Sequence, residues 1–292
     1  MSFIGADSSY RDAEAVIFGA PYDSTTSFRP GGRFGPQAMR VESFGIETYS
    51  PYQDRDMEEV RVHDAGDIEL PFGAPEPVLD MIEAKAASIL ADGKMPVLLG
   101  GEHLVTLGAV RAAAKRFPGL HIIHFDAHAD LREDYLGNPL SHACVIRRCH
   151  DLLGDGRIRQ FGIRSGTRDE FAFMAAGHVV TERHTCSTLP QFSLPADTPV
   201  YLTVDMDVLD PSEFPGTGTQ EAGGLRFREL LNALMDVFAR FNVVAFDNVE
   251  LAPSLDPSGR STALACKLLR EELLAAKTVV HQKSAGREEK RS

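Results

Sequence analysis

The sequence predicts an α/β fold whose central sheet is mostly parallel and covered by helices on both faces. Short apolar stretches of strand length alternate with longer stretches of helical periodicity, which is the pattern of strand–helix–strand units with parallel pairing. The strand candidates are nearly continuous apolar runs, as expected for strands that are buried on both faces. The length of 292 residues is compatible with one α/β domain.

Seven stretches have the length and composition of buried strands: residues 15–18, 96–99, 121–125, 158–162, 178–181, 200–205 and 243–247. Five stretches place apolar residues at helical spacing: residues 77–91, 104–117, 143–153, 227–241 and 262–276. Because no linker rich in Gly, Pro or Ser and no internal repeat interrupts this pattern, we expect a single domain over residues 1–280. The polar segment 281–292 is predicted to be a disordered tail.

Composition and charge argue against several classes of function. A formal net charge of −12 is unfavourable for binding nucleic acid through a broad basic surface. No apolar run reaches the roughly 18 residues that a membrane-spanning helix needs, and the first residues lack the pattern of a secretory signal. The four cysteines, Cys144, Cys149, Cys186 and Cys266, form no CxxC pair. We therefore expect a cytoplasmic protein with neither nucleic-acid nor membrane partners.

Side chains of the metal-ligand type follow two of the predicted strands. Asp126, His128 and Asp130 come directly after one strand, and Asp205 and Asp207 lie at the end of another. Alternate residues of a strand point to one side, so the members of each group converge. Ligands of parallel sheets bind at the carboxyl ends of the strands. Four carboxylates brought together there would repel each other strongly without a cation, so a metal site is favoured over solvated loops.

A third predicted strand ends at the motif GGEH, whose histidine is His103. The glycine pair permits a tight turn and a close backbone approach. Alone, His103 would be interpreted as a structural loop residue, but beside the other groups it becomes a sixth ligand. Two His and four Asp without a thiolate favour two Mn2+ ions, with zinc and nickel as competitors. Two such ions can generate a hydroxide near neutral pH.

Five segments, in this order, resemble the ureohydrolase family, which includes arginase, agmatinase, guanidinobutyrase and formiminoglutamase: GGEH, FDAHAD, SHA, TVDMDVLDP with the following PGTGT and GG, and VELAP. The resemblance extends over most of the chain, roughly residues 15–274. The resemblance implies a three-layer α/β/α sandwich of the arginase-like type. It also implies two manganese sites, one formed by His103, Asp126, Asp130 and Asp205 and the other by Asp126, His128, Asp205 and Asp207.

The resemblance further implies two catalytic residues. In this family a metal-bridging hydroxide attacks the guanidinium carbon of the substrate. Glu250, in VELAP, is implied as the carboxylate that pairs with the guanidinium nitrogens. His142, in SHA, is implied as the proton shuttle to the departing amine. Outside this context, Glu250 would be a carboxylate at a helix entry and His142 a surface histidine.

The implied substrate is a small cationic guanidino compound. Residues 27–36 and 130–135 resemble loops of the agmatinase branch, which implies hydrolysis of agmatine to putrescine and urea. Arg132 stands where arginases usually carry an Asn that helps to bind the amino-acid carboxylate, which counts against arginase. A guanidinobutyrase-like or formiminoglutamase-like enzyme remains an alternative. The complete ligand set, with His142 and Glu250, disfavours a single-zinc deacetylase or a non-catalytic relative. The family also implies a homo-oligomer, a trimer or hexamer.

Overall fold

The computed structural model describes residues 1–276, and its centre is an eight-stranded sheet. The strands, in chain order, are β1 (Ala15–Ala20), β2 (Tyr49–Ser50), β3 (Arg55–Asp56), β4 (Val62–Asp67), β5 (Met95–Gly100), β6 (His121–Phe125), β7 (Ile158–Ile163), β8 (Val180–Arg183), β9 (Pro199–Asp205) and β10 (Asn242–Val249). The sheet has the order β4-β1-β5-β10-β9-β6-β7-β8, and all of its pairings are parallel. Strands β2 and β3 form a separate antiparallel pair.

Helices cover both faces of this sheet. They are α1 (Gly35–Glu42), α2 (Pro75–Ala91), α3 (Thr106–Arg116), α4 (Val145–Leu153), α5 (Arg168–Ala175), α6 (Phe227–Arg240) and α7 (Arg260–Ala275). Alternate strand residues enter two different cores, as the period of two requires. Ile17 and Leu99 pack with α1, α6 and α7 on one face, whereas Val16 and Leu98 pack with α2, α3, α4 and α5 on the other. The predicted α/β/α sandwich with a parallel sheet is therefore confirmed.

All seven predicted strands and all five predicted helices correspond to observed elements, and most differ only at their ends. The strand predicted at residues 178–181 is observed two residues later, as β8. Strand β4 and helices α1 and α5 were not predicted. Strand β4 reads VHDAGD, whose polar residues hide its extended conformation. Helices α1 and α5 have only eight residues each, which is too short for a clear helical period.

Two predictions concern parts of the chain that the structure does not describe. The predicted tail, residues 281–292, lies outside the described residues, and so do the last four positions of the predicted domain. Among residues 1–276, no helix has both the length and the apolar character needed to cross a membrane.

Four neighbouring strands in the middle of the sheet, β5, β10, β9 and β6, end at the same edge. Each is followed within three residues by a candidate site residue. The turn after β5 depends on Gly101, because a Cβ there would lie 2.0 Å from the carbonyl oxygen of Tyr22. Only glycine fits this approach, and it directs the chain back toward the sheet edge just before His103.

Candidate metal centre and active site

Three carboxylates surround one ring nitrogen of a buried histidine. His103 Nδ1 lies 3.1 Å from Asp126 Oδ2, 3.2 Å from Asp130 Oδ2 and 3.2 Å from Asp205 Oδ2. All four side chains are buried. Among residues 1–276, no hydrogen-bond partner contacts this nitrogen. Four of the six predicted metal ligands therefore converge on one point.

The hydroxyl of Thr203 indicates which ring nitrogen of His103 carries the proton. Thr203 Oγ1 donates to Asp247 Oδ1 at 2.6 Å, so toward His103 Nε2, 3.0 Å away, it acts as the acceptor. Tyr201 holds the other carboxylate oxygen of Asp247 at 2.6 Å. With the ring proton on Nε2, the Nδ1 atom presents a lone pair to three carboxylates. Such an arrangement is unfavourable unless a cation lies between these groups, either a metal ion or a proton on Nδ1; burial opposes that proton, but the three carboxylates outweigh burial and raise the pKa of His103 well above its usual value.

A second group of ligand atoms adjoins the first. His128 Nδ1 lies 3.0 Å from Asp207 Oδ2 and 3.6 Å from Asp126 Oδ1. The ligand atoms of Asp126, His128 and Asp207 all lie within 4.8 Å of one another, which suits a metal ion. Asp126 thus directs Oδ2 toward His103 and Oδ1 toward His128, as a bridging carboxylate would. The second oxygen of Asp205 instead accepts the amide of Asp207 at 2.9 Å.

The acidic residues of these two groups differ in how readily they ionise. Burial and the charges of Asp207 and Asp126 raise the pKa of Asp205 well above its usual range. Burial and Asp126 also raise the pKa of Asp130. Burial opposes ionisation of Asp126 too, but the neighbouring histidines, His124 foremost, hold its pKa well below the usual value. Divalent cations would favour the ionised form of all these carboxyl groups.

His124 contributes to this site although motif analysis did not single it out. Gln160 Nε2 lies 3.1 Å from His124 Nδ1 and donates to it, so the ring proton is on Nε2. That nitrogen lies 2.8 Å from Asp126 Oδ2 and therefore donates to it. His124 orients the central carboxylate from the layer behind the ligands. One feature of the sequence could have indicated this role: His124 stands two residues before Asp126, and in an extended chain such side chains point to the same side.

Glu250 follows β10 in an unusual backbone conformation. Its φ is 66°, and Asp130 has a φ of 52°, so two of the predicted site residues are left-handed without being glycine. Such conformations require support from the surroundings. The amide of Glu250 donates to the carbonyl of Gly101 at 2.8 Å, and its Oε1 accepts the amide of His103 at 2.8 Å. The carboxylate is thereby attached to the turn that carries His103.

His142 lies beside Glu250 in a 3-10 turn that leads directly into α4. Its Nδ1 is 3.6 Å from Glu250 Oε1. Burial favours the neutral ring, but the carboxylate of Glu250 outweighs it and raises the pKa of His142 to about 9. The amide of Ser27 donates to Nε2 at 3.1 Å, which places the proton of the neutral ring on Nδ1. The two predicted catalytic residues are therefore close together, with an N–H directed at a carboxylate.

Glu102 is a second residue that sequence reasoning missed. It is buried and accepts hydrogen bonds from Thr25 N at 2.7 Å, Thr25 Oγ1 at 2.5 Å and Thr26 Oγ1 at 3.3 Å. Thr25 Oγ1 also accepts the amide of His142 at 3.0 Å. Burial raises the pKa of Glu102 to about 7. Glu102 therefore anchors the segment that contacts both ends of His142, because Ser27 belongs to the same loop.

Four of the eight candidate residues open onto a cavity of about 240 Å3, and the other four lie behind them. It is lined by ligands and by the predicted shuttle, namely His128, Asp130, Asp205 and His142. Arg132 also lines it, with Nε 3.9 Å from Oε2 of the buried Glu170. A larger cavity of about 520 Å3 is lined by polar residues, arginine and phenylalanine and contains none of the candidate side chains. The smaller cavity is therefore the candidate substrate site.

The loop at residues 215–219 closes one side of this site. Thr219 Oγ1 lies 3.3 Å from Asp207 Oδ2 and lines the cavity. A Cβ at Gly218 would lie 2.5 Å from the carbonyl oxygen of Arg29, so the loop depends on glycine to pass this close to the N-terminal segment.

Comparisons with known proteins agree with the predicted resemblance. The model of the arginase family matches residues 13–275. The agmatinase of Halalkalibacterium halodurans is 48% identical over 275 residues, which cover 93% of this chain and 95% of that protein. The solved structure of the agmatine ureohydrolase of Thermoplasma volcanium has a TM-score of 0.85 and 34% identity, covering 94% of this chain and 93% of that one. Proclavaminate amidino hydrolase from Streptomyces clavuligerus has a TM-score of 0.81 and 32% identity, covering 90% and 91%. Because the family model extends over almost the whole described chain, the protein belongs to the arginase family.

Proposed function

We propose that this protein is a binuclear metal-dependent hydrolase that cleaves a guanidino C–N bond, with agmatine as substrate and putrescine and urea as products. The observation that carries the proposal is the unpartnered, buried Nδ1 of His103 facing three carboxylates beside a cavity. Relatives that are 46–48% identical over 93% of the chain are agmatinases, which supports the choice of substrate.

The residues fit two divalent ions. His103, Asp126, Asp130 and Asp205 would hold one ion, and Asp126, His128, Asp205 and Asp207 would hold the other. When bound, two such ions supply a hydroxide near neutral pH and neutralise the carboxylates. Imidazole and carboxylate ligands without sulfur favour Mn2+. Neither of the two proposed ligand sets contains a cysteine. The two manganese ions therefore belong to the proposal.

Glu250 would bind and orient the guanidinium. Its Oε1 accepts the amide of His103, whereas within residues 1–276 no donor contacts Oε2. A planar cation can therefore approach Oε2 and form a charge-assisted hydrogen bond. Since Glu250 is only 4% exposed, this contact would be well shielded from water. The carbon under attack would then be held next to the ligand groups, and positioning of this kind accelerates the reaction.

His142 would move the proton that the departing amine needs. Its Nδ1 faces the same carboxylate that would hold the guanidinium, so the N–H would lie next to the substrate nitrogens. Ser27 fixes the other face of the ring through Nε2. The carboxylate of Glu250 favours the imidazolium form of His142 by raising its pKa to about 9, and this form can donate the Nδ1 proton, return to the neutral ring and regain a proton from water.

The rim of the cavity bears on the choice between agmatine and guanidinobutyrate. Arg132 lines the cavity, and a guanidino acid would use such a cation to bind its carboxylate. This arginine already lies 3.9 Å from the buried carboxylate of Glu170 and has its guanidinium 5.2 Å from the ring centre of Tyr135. The partly neutralised cation is compatible with the ammonium of agmatine. Guanidinobutyrate remains the second candidate because of Arg132.

Urea release from agmatine, arginine, guanidinobutyrate and guanidinopropionate by the Mn(II)-loaded protein tests the proposal. We expect clear preference for agmatine, and Arg132→Gln should leave kcat/KM for agmatine unchanged or raised. A preference for guanidinobutyrate that Arg132→Gln abolishes would establish the second candidate. No urea from any of the four compounds, with two metal ions bound, would refute the proposed reaction.

The cellular setting and assembly are proposed on the family resemblance alone. We propose a cytoplasmic enzyme that forms a trimer or hexamer. Sedimentation velocity of the Mn(II)-loaded full-length chain tests the assembly, and a monomer at micromolar concentration would overturn that part of the proposal.

A further inference from the structure

Two histidines and one aspartate converge at the opposite end of the sheet from the candidate active site. His150 lies near the end of α4, Asp155 precedes β7, and His178 precedes β8. Asp155 Oδ1 lies 2.7 Å from His150 Nε2 and 2.8 Å from His178 Nδ1. The ligand atoms of the three side chains lie within 4.8 Å of one another. Nothing in the proposed catalytic reaction uses this cluster.

The hydrogen bonds of His150 leave one of its nitrogens unsatisfied. When Nε2 donates to Asp155, the neutral ring has a lone pair on Nδ1, and that buried atom has no hydrogen-bond partner among the described residues. Asp151 Oδ1 lies 3.9 Å from Nδ1, within reach of a small side-chain movement. In the other tautomer Nδ1–H would point to Asp151, and Nε2 would present its lone pair to the cluster. A carboxylate behind a metal-binding histidine is the usual arrangement for such ligands.

The rings of the cluster are held in place by packing and by the backbone. Phe173 stacks on His178 with ring centres 4.3 Å apart, and its ring meets His150 edge-on at 4.9 Å. The amide of Gly156 donates to the carbonyl of His178 at 3.2 Å, which ties the two loops together. The guanidinium of Arg147 also lies over the Phe173 ring, 4.6 Å from its centre. Its positive charge is partly neutralised, because Nε donates to Asp151 Oδ1 at 3.3 Å. Packing therefore holds the two rings close to ligand positions, and binding an ion would lengthen the two contacts to Asp155, now 2.7 Å and 2.8 Å, by about half an ångström.

We propose that His150, Asp155 and His178 form a separate binding site for a divalent transition-metal ion, with Zn(II) as the best fit. Two imidazoles and one carboxylate are a common ligand set for zinc, which adopts tetrahedral geometry with water in the fourth position. Asp155 is exposed, with 66% of its side chain accessible, so an ion can enter from solvent. The bound ion joins the end of α4 to the loops before β7 and β8. It stabilises the helix whose other end adjoins His142.

Zinc content of the full-length protein tests this site. The protein is loaded with Mn(II), equilibrated with Zn(II) by dialysis, and analysed for both metals by mass spectrometry. The variants His178→Gln and Asp155→Asn are compared with wild type and with His184→Asn, a matched control for an exposed histidine outside the cluster. Exchange of Mn(II) for Zn(II) in the candidate active site affects all four proteins equally, so the difference between them reports on the cluster alone.

We expect wild type and His184→Asn to bind one equivalent of Zn(II) more than either cluster variant, with at least tenfold weaker binding in the variants. Zn(II) should also raise the Tm of wild type more than that of Asp155→Asn, whose exposed side chain can be changed without disturbing the core. Equal zinc content in all four proteins would overturn the proposal. Urea release at saturating Mn(II) should be the same in the four proteins, so failure here is distinguishable from failure of the proposed reaction.

Discussion

Replacing Glu102 with glutamine tests whether the positioning network behind His142 matters for turnover. The substitution retains the size of the side chain but removes its charge and one of its two acceptor oxygens. Thr25 N and Thr25 Oγ1 donate to different oxygens of Glu102, at 2.7 Å and 2.5 Å. An amide nitrogen would therefore face one of these donors in either orientation of the glutamine. When that donor is the hydroxyl of Thr25, it can accept from the amide nitrogen instead, so the loop that contacts His142 would keep both contacts in a weaker, uncharged form.

The magnitude follows from these two contacts. A hydrogen bond to a charged group contributes about 1 kcal/mol more than a neutral one, so losing the charge on two contacts costs about 2 kcal/mol. If the poorer positioning of His142 raises the activation free energy by this amount, kcat falls about 30-fold, since a factor of ten corresponds to about 1.36 kcal/mol. The effect should appear above pH 7, because burial raises the pKa of Glu102 to about 7 and the carboxylate is ionised above that value.

Steady-state urea release at pH 9, with kcat and KM determined separately and metal content measured in parallel, checks this prediction. Glu133→Gln, at an exposed position of the loop after β6, is the matched control and should behave as wild type. We expect a lower kcat for Glu102→Gln, with unchanged KM and full metal content. An unchanged kcat would refute the positioning role. Loss of metal would instead show that Glu102 acts through its neighbour His103.

Three further outcomes are expected. Asp126→Ala should abolish urea release and the binding of one metal equivalent, because this carboxylate faces both ligand groups; full metal content in the variant would contradict a bridging role. His142→Ala should lower kcat by about 10²–10⁴ with metal content unchanged, as general acid–base catalysis contributes on this scale; loss of metal would contradict its assignment. Burial raises the pKa of Glu272 to about 8, so folded protein retains a proton that unfolded chain loses above about pH 4.5, and the free energy of unfolding falls as pH rises between these values. Glu272→Gln should remove that slope, which amounts to about 3–4 kcal/mol between pH 5 and pH 8, as measured by urea unfolding at these two pH values; an equal slope in both proteins would contradict the shift.

The fold was predictable where the residues of an element themselves indicate that the element is buried. Strand β6, which reads HIIHF, is buried at four of its five positions and was predicted with its observed bounds. Strand β4 was missed because it carries His63 and Asp64. The reason that Asp64 can lie in a strand is Arg40 of α1, whose guanidinium contacts it at 2.8 Å and 3.0 Å. This pairing spans 24 positions and joins two elements that were both absent from the prediction. Sequence patterns do not reveal such compensation, since a polar strand and a solvated loop have the same composition.

The site was predictable for the same kind of reason. Ligand-type residues at the ends of buried strands are recognisable from spacing alone, and the structure brings all six into two adjoining groups. His124 and Glu102 were missed because their roles depend on which of their hydrogen-bonding atoms are occupied by residues from other parts of the chain. His124 donates to Asp126 only because Gln160 occupies its other nitrogen. Such hydrogen bonds join residues that are distant in the sequence, so they can be identified only in the folded structure.

The backbone around the candidate centre indicates that the fold is arranged for ligands rather than for its own stability. Asp130 and Glu250 adopt left-handed conformations that cost on the order of 1–3 kcal/mol each. Asp205, buried beside Asp126, has its pKa raised because the charged form is disfavoured there. Each of these features destabilises the protein without ligands, and the proposed cations would lower the cost of the crowded carboxylates. If the proposed ions bind the folded arrangement far more tightly than the unfolded chain, metal binding would be thermodynamically coupled to folding. The strain and the unneutralised carboxylates are therefore explained by the same ligands that the proposed reaction requires.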